Sequence, residues 1–111
     1  MILATIRMNI PPTKRNEALG ILSSVAEQCT VYAGCLGCHI YNDVQEENVL
    51  MFEERWRTED ELAQHLRSEK YHDLLLVIEM ALTQPEVRFN AVSSFTGIET
   101  IEKARFSGRI A

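Results

Sequence analysis

No long apolar run exists in this chain. The longest uninterrupted one covers residues 74–78, far short of the ~20 residues that span a bilayer, so a membrane-embedded protein is excluded. The N-terminus, Met-Ile-Leu-Ala-Thr-Ile-Arg, has no basic leader region, no long apolar segment and no small-residue cleavage site. A secretory signal is therefore not expected, and the cytoplasm is the default location. Positive charge is also scarce. Eleven Lys and Arg are scattered among sixteen Asp and Glu, for a formal net charge of −5, whereas a nucleic-acid binder concentrates basic residues against phosphates. Nucleic acid is not an expected partner. Three cysteines, an odd number, do not build a disulfide framework and leave packing or thiol chemistry as their roles. No low-complexity tract, repeat or linker rich in Gly, Pro or Ser divides the chain. What remains is 111 residues, 46% hydrophobic and 24% charged: one small globular domain, with a core thin enough to want a second subunit.

Ile2, Ala4, Ile6, Met8 and Ile10 alternate with Leu3, Thr5, Arg7 and Asn9, the period-two pattern of a strand with one strongly apolar face, and Pro11 and Pro12 stop it. Ala18, Leu22, Val25, Ala26 and Cys29 then recur at helical spacing, which predicts a helix of about four turns from residue 12 or 13 to residue 28. Gly34 turns the chain into a second strand over 35–43, and Gln45-Glu46-Glu47-Asn48 reads as the hairpin to a third over 49–57. Thr58 and Glu61 have capping-box spacing, with Glu59 and Asp60 adding negative charge at a helix N-terminus. From there Leu62, His65 and Leu66 share one face. After a kink expected at Ser68, the stripe continues through Tyr71, Leu74, Leu75, Ile78 and Leu82. Pro85 ends it, and Val87, Phe89, Ala91, Ser93 and Phe95 alternate along a last strand. The order βαββαβ predicts a ferredoxin-like α+β domain, a four-stranded antiparallel sheet with both helices on one face.

The face away from the helices carries Leu3, Tyr41, Val49, Met51 and Val92 mixed with Arg7, His39, Glu53 and Arg88. A face that ought to meet water but is half apolar argues for cover by another subunit, so a homodimer is expected.

His65 is the most informative titratable residue, because it lies beside Leu62 and Leu66 on the face packed against the sheet, where an imidazole needs a partner. It is either structural or a base, since a neutral imidazole suits proton abstraction. Glu54 is its expected partner: alternation sets it with Phe52 and Trp56 on the helix-facing side, where an unpaired carboxylate is costly. Together they imply a polar pocket between sheet and helices. Trp56, the single tryptophan, is either core or a wall of that pocket stacking on a planar ligand. Tyr71 lies on the stripe with its hydroxyl at the pocket edge, and His72 falls off the stripe toward solvent. Cys35-Leu36-Gly37-Cys38 has redox spacing, and Cys29 and His39 would extend it to four metal ligands. The two cysteines enter a strand, however, and are expected to point to opposite faces. With no helix N-terminus or knuckle to gather the thiols, neither redox chemistry nor metal binding is favoured. RNA recognition in the manner of RRM domains also fails, because Met51-Phe52-Glu53-Glu54-Arg55-Trp56 lacks their basic, glycine-containing setting.

Gly34-Cys35-Leu36-Gly37, then Glu54-Arg55-Trp56, then Leu62-Ala63-Gln64-His65-Leu66-Arg67-Ser68, in this order within βαββαβ, resembles the antibiotic biosynthesis monooxygenase family, including its quinol monooxygenase-like members. The resemblance covers residues 1–97 and leaves 98–111 as a C-terminal extension, open between a short helix, an extra strand and a swapped arm. It implies a dimeric α+β barrel in which two sheets face each other and each subunit holds a ligand pocket between its own sheet and helices. It also implies oxidation of anthrones, quinols or related phenols by O2 without flavin, haem or metal. In that chemistry a base deprotonates the phenol, an electron passes to O2, and recombination with loss of water gives the quinone. Trp56 matches the pocket tryptophan of the anthrone-oxidising branch, but that branch's asparagine falls at Phe52 and its tyrosine at Leu62. His65 matches a histidine common in quinol-type members, whose second histidine is Lys70 here. The iron-ligating histidine of the haem-degrading branch falls at Leu75, with His72 out of phase to replace it.

The resulting expectation is a cofactor-independent monooxygenase of a small quinol or related phenol, with O2 as co-substrate and no bound cofactor or metal. His65 is the expected base, assisted by Glu54; Trp56, Tyr71, Phe52 and Leu62 are expected to contact the substrate. Two alternatives stay open. One is a non-catalytic dimer that binds a small aromatic or serves in stress; the other is a thiol or metal protein built on Cys29, Cys35, Cys38 and His39.

Overall fold

Period-two hydrophobicity at the N-terminus becomes strand β1 (Ile2–Asn9), whose burial alternates residue by residue. The computed structural model describes residues 1–106; positions 107–111 of the expected C-terminal extension lie outside the described residues. The two prolines close β1, and a 3-10 turn (Pro12–Lys14) leads into α1 (Arg15–Cys29), which buries Ala18, Leu22, Val25 and Cys29. β2 (Cys35–Asn42) and β3 (Val49–Trp56) form an antiparallel hairpin. α2 (Glu59–Leu66), α3 (Glu69–Met80), β4 (Glu86–Ala91) and α4 (Ile98–Phe106) follow. The sheet runs β2-β3-β1-β4 with every neighbouring pair antiparallel, the ferredoxin-like arrangement. Ile6, Met8, Phe52 and Trp56 from the sheet pack with Leu22, Val25, Leu74 and Val77 from the helices in one core. Among the described residues no helix is long and apolar enough to cross a membrane.

Three expectations are corrected. The kink at Ser68 is a full break: α2 ends, and Ser68 starts α3 as its own N-cap, accepting from Tyr71 N–H at 3.3 Å while donating to His65 O at 2.7 Å. The stripe of α3 therefore restarts at Tyr71 and runs through Leu74 and Val77, while Leu75 is 43% exposed and Leu82, beyond the helix end, 61%. The last strand stops at Ala91 and does not reach Phe95. Ala91 lies opposite Ile2, where β1 begins, and beyond it Val92 N–H donates to Met1 O at 2.8 Å. Val87 and Phe89 do lie on the helix-facing side, opposite Ile6 and Ala4. Both are nevertheless about half exposed, so the helix layer leaves this edge strand partly open. The described part of the extension, Ile98–Phe106, is a helix, α4, and it buries no residue.

The turn into α2 rests on a close approach. Thr58 caps α2 by accepting from Glu61 N–H at 3.2 Å, and its hydroxyl donates to Glu61 Oε1 at 2.9 Å. Arg57 grips the same carboxylate in two places, at 3.0 and 2.6 Å. That holds the Glu61 side chain directly over buried Gly34, where a Cβ would collide with it. Gly34→Ala should therefore destabilise by about 1–3 kcal/mol and Thr58→Ala by about 1 kcal/mol, both read as a lower urea midpoint at unchanged slope.

Candidate active site

β3 lies inside the sheet, so its helix-facing side chains are covered from every direction: Phe52, Glu54 and Trp56 are 0%, 2% and 1% exposed. Glu54 sits between Ala4 of β1 and Cys38 of β2 in the ladder. A carboxyl there survives only with partners. His65, in the last turn of α2, supplies one: its Nε2–H donates to Glu54 Oε2 at 2.6 Å. Cys29, the last residue of α1, supplies another, its thiol donating to the same oxygen at 3.3 Å and lying 3.6 Å from His65 Nε2.

Aromatic rings enclose this pair. Trp56 stacks on the imidazole with centroids 4.8 Å apart and an interplanar angle of 28°. Tyr71 and Tyr32 meet it edge-on at 5.2 and 5.6 Å. Two polar atoms in the enclosure, His65 Nδ1 and Trp56 Nε1, are buried with no hydrogen-bond partner. Leaving a donor or acceptor dry in this way costs about 1–3 kcal/mol, which marks the place where a polar ligand atom would be welcome.

The proton inventory follows from these contacts. Burial pushes the His65 imidazole down, but the hydrogen bonds to Cys29 and Glu54 and the Glu54 charge more than offset it and lift it to about 9. Contact with Cys38 and burial hold the Cys29 thiol far above the usual range, so it stays protonated and Glu54 is the anion that matters to His65. Burial, then the Glu54 charge, push Tyr71 up to about 12. The resting pair is an imidazolium on a carboxylate. When its proton leaves, the Nε2–H remains bonded to Glu54 and Nδ1 becomes the free base.

His65, Glu54, Trp56 and Tyr71 thus come together as expected from the sequence. Phe52 and Leu62 join the apolar core beside them. The expected pocket between sheet and helices is closed, since His65 is 0% exposed. On the outer side of the α2–α3 break lies a surface depression of ≈ 600 Å³ lined by residues that include Leu66, Ser68, His72 and Asp73. The expectation for the cysteines needs a larger correction. A register shift between Cys35 and Gly37 makes Leu36 an extra residue, so Cys35 and Cys38 fall opposite Trp56 and Glu54 on the same, helix-facing side. His39 goes to the open face beside Tyr41, 6.2 Å away, and cannot join them. Cys29 and Tyr32 were not expected in this site. Cys29 already stood on the apolar stripe of α1, whereas Tyr32 is carried in by the turn in which its N–H donates to Cys29 O at 3.1 Å.

The family model for antibiotic biosynthesis monooxygenases matches residues 1–75, a span containing Cys29, Glu54, Trp56, His65 and Tyr71. The chain belongs to this family. Solved structures share its architecture. A conserved protein of Methanosarcina mazei superposes with a TM-score of 0.75 at 23% identity, over 80% of this chain and 89% of that one. Rv0793 of Mycobacterium tuberculosis gives 0.77 at 20%, over 86% and 98%. An antibiotic biosynthesis monooxygenase gives 0.75 at 17%, over 85% and 100%. At such identities the likeness shows the fold. No curated protein matches the chain.

Removing one member of the buried pair strands the other. His65→Leu and Glu54→Leu should each destabilise by about 3–5 kcal/mol, and the double replacement by less than their sum. Because the folded value of His65 lies above its ordinary 6.5, its stabilisation is complete below that pH and is lost as pH rises through about 9. Urea midpoints of the natural chain should fall over that window, and those of His65→Leu should fall less.

Proposed function

We propose that this family member is a cofactor-independent monooxygenase that oxidises a small quinol or related phenol with O2. One observation carries the reading: a buried carboxylate holds Nε2 of His65 at 2.6 Å while Nδ1 stays unpartnered among aromatic rings. Nδ1 takes the phenolic proton, and Glu54 orients the ring and favours the imidazolium that forms. The phenolate is electron-rich enough to pass an electron to O2. Recombination at a ring carbon and loss of water leave the quinone, one oxygen atom of O2 entering the product and the other leaving as water. Trp56 and Tyr71 stack against the aromatic substrate, and access opens at the α2–α3 break, where a depression already lies on the surface.

With metal-free protein and hydroquinones, oxygen uptake should rise as pH passes through about 9, where Nδ1 is freed, and should fall at least ~100-fold in His65→Gln. Uptake at background level, or full activity in His65→Gln, overturns the mechanism. Quinol binding without uptake would instead favour a protein that binds aromatics and does not transform them.

The same reading includes a homodimer formed through the open sheet faces. In support, Leu3 and Met51 on that face are half-buried, Met51 directly across from Arg7, which pairs with Asp43 and Glu46, and Phe95, Ile98, Ile101 and Phe106 are 85%, 69%, 59% and 79% exposed. Apolar surface of this kind is normally covered. Light scattering should give twice the chain mass at micromolar concentration, and a monomer persisting at high micromolar concentration overturns this.

A further inference from the structure

The fold takes apart the four-ligand set that the sequence offers and assembles another. His39 leaves for the open face, while the bulge at Leu36 turns both Cys35 and Cys38 toward the helices. There the donor atoms of Cys29, Glu54 and His65 all lie within 4.8 Å of one another, each residue buried, and the bulge places Cys38 on the same side of the sheet. Cys38 is also the residue directly across the ladder from Glu54. We propose that Cys29, Cys38, Glu54 and His65 form a binding site for one Zn2+ ion.

The distances favour this ion. With Zn–S near 2.3 Å and Zn–N and Zn–O near 2.0 Å, a tetrahedral site has S···N and S···O edges of about 3.5 Å and an N···O edge of about 3.3 Å. Cys29 Sγ is already 3.6 Å from His65 Nε2 and 3.3 Å from Glu54 Oε2. Of the three edges among Cys29, Glu54 and His65, only Nε2···Oε2, 2.6 Å, is too short, because a proton closes it. Zn2+ replaces that proton and the two thiol protons, and the two side chains part by about 0.7 Å to admit it. The donor set suits a borderline-soft cation and not Mg2+ or Ca2+, which need a shell of oxygens. A route in exists along β2, an edge strand on which Cys38 and Cys35 are both partly exposed.

This site does not depend on the oxygenase reading, and the two exclude each other in time: an imidazole ligated through Nε2, without its carboxylate partner, is no longer the base described above. The metal-loaded chain therefore does not turn phenols over.

The test is binding, read without turnover. Thiol-reduced, chelator-treated protein is titrated with Co2+ and then competed with Zn2+. The proposal expects one equivalent per chain, intense near-ultraviolet sulfur-to-cobalt charge transfer, and visible bands of tetrahedral strength that Zn2+ abolishes. Cys29→Ser, Cys38→Ser and His65→Gln should each weaken binding at least ~10-fold, since losing a residue that merely orients a ligand already costs that much, and His39→Gln should leave it unchanged. No stoichiometric binding, an octahedral spectrum without charge transfer, or loss of binding in His39→Gln overturns the site. Should the core variants fail to fold, the spectrum of the natural chain and the partly exposed Cys38→Ser variant still decide it.

Discussion

A carboxyl group on an inner strand, facing the helices, is tenable only if neighbouring elements bring it hydrogen-bond donors. Glu54 imposes that condition on this fold. Its oxygen accepts from His65 at 2.6 Å and from Cys29 at 3.3 Å, so the last turn of α2 and the last residue of α1 must both end over the middle of β3. The break between α2 and α3 follows from the same demand. α2 stops one residue after His65, and Ser68 ties the His65 carbonyl to the cap of the next helix. Trp56, Tyr71 and Tyr32 then close around the imidazole and exclude the water that would otherwise weaken the pair.

A single extra residue decides what kind of cluster this is. In an unbroken strand, Cys35 and Cys38 would face opposite ways. The bulge at Leu36 sets both on the inner side, against Trp56 and Glu54. One inserted residue thus adds a β2 thiol to a pair that already has Cys29 beside it, which widens the chemistry open to it from acid–base work to ligation of a soft cation. The family membership carried by residues 1–75 is compatible with either, since it fixes the scaffold while the site residues fix the chemistry.

Much of this was legible in the residues. Alternation in β1 and β3, the cap at Thr58 and the helical phase of His65 are local signals, and each placed its side chain on the correct face. The inward Glu54 was visible because a charge at a core position of an alternating strand contradicts the pattern around it. What failed were features whose cause lies in another element. The end of β4 is set by the first residue of β1, its hydrogen-bonding neighbour. The phase of α3 is set by a cap that begins a new helix, so Leu75 and Leu82 turn outward and Val77 inward. The bulge in β2 has no periodic signature, because it is a mismatch in register against β3.

By itself the sequence determined the order of elements, the inner and outer faces of β1, β3 and α2, and a buried Glu–His pair beside a tryptophan, since all of these follow from periodicity and from the cost of burying charge. Only the tertiary structure decided that Cys29 and Cys38 belong with that pair and His39 does not, and that the pair is closed over by rings, one of them Tyr32 from outside any helix or strand. Those relations join residues 25 and 36 positions apart in the chain, and distances of that kind are fixed by how helices settle on a sheet, which no local pattern encodes.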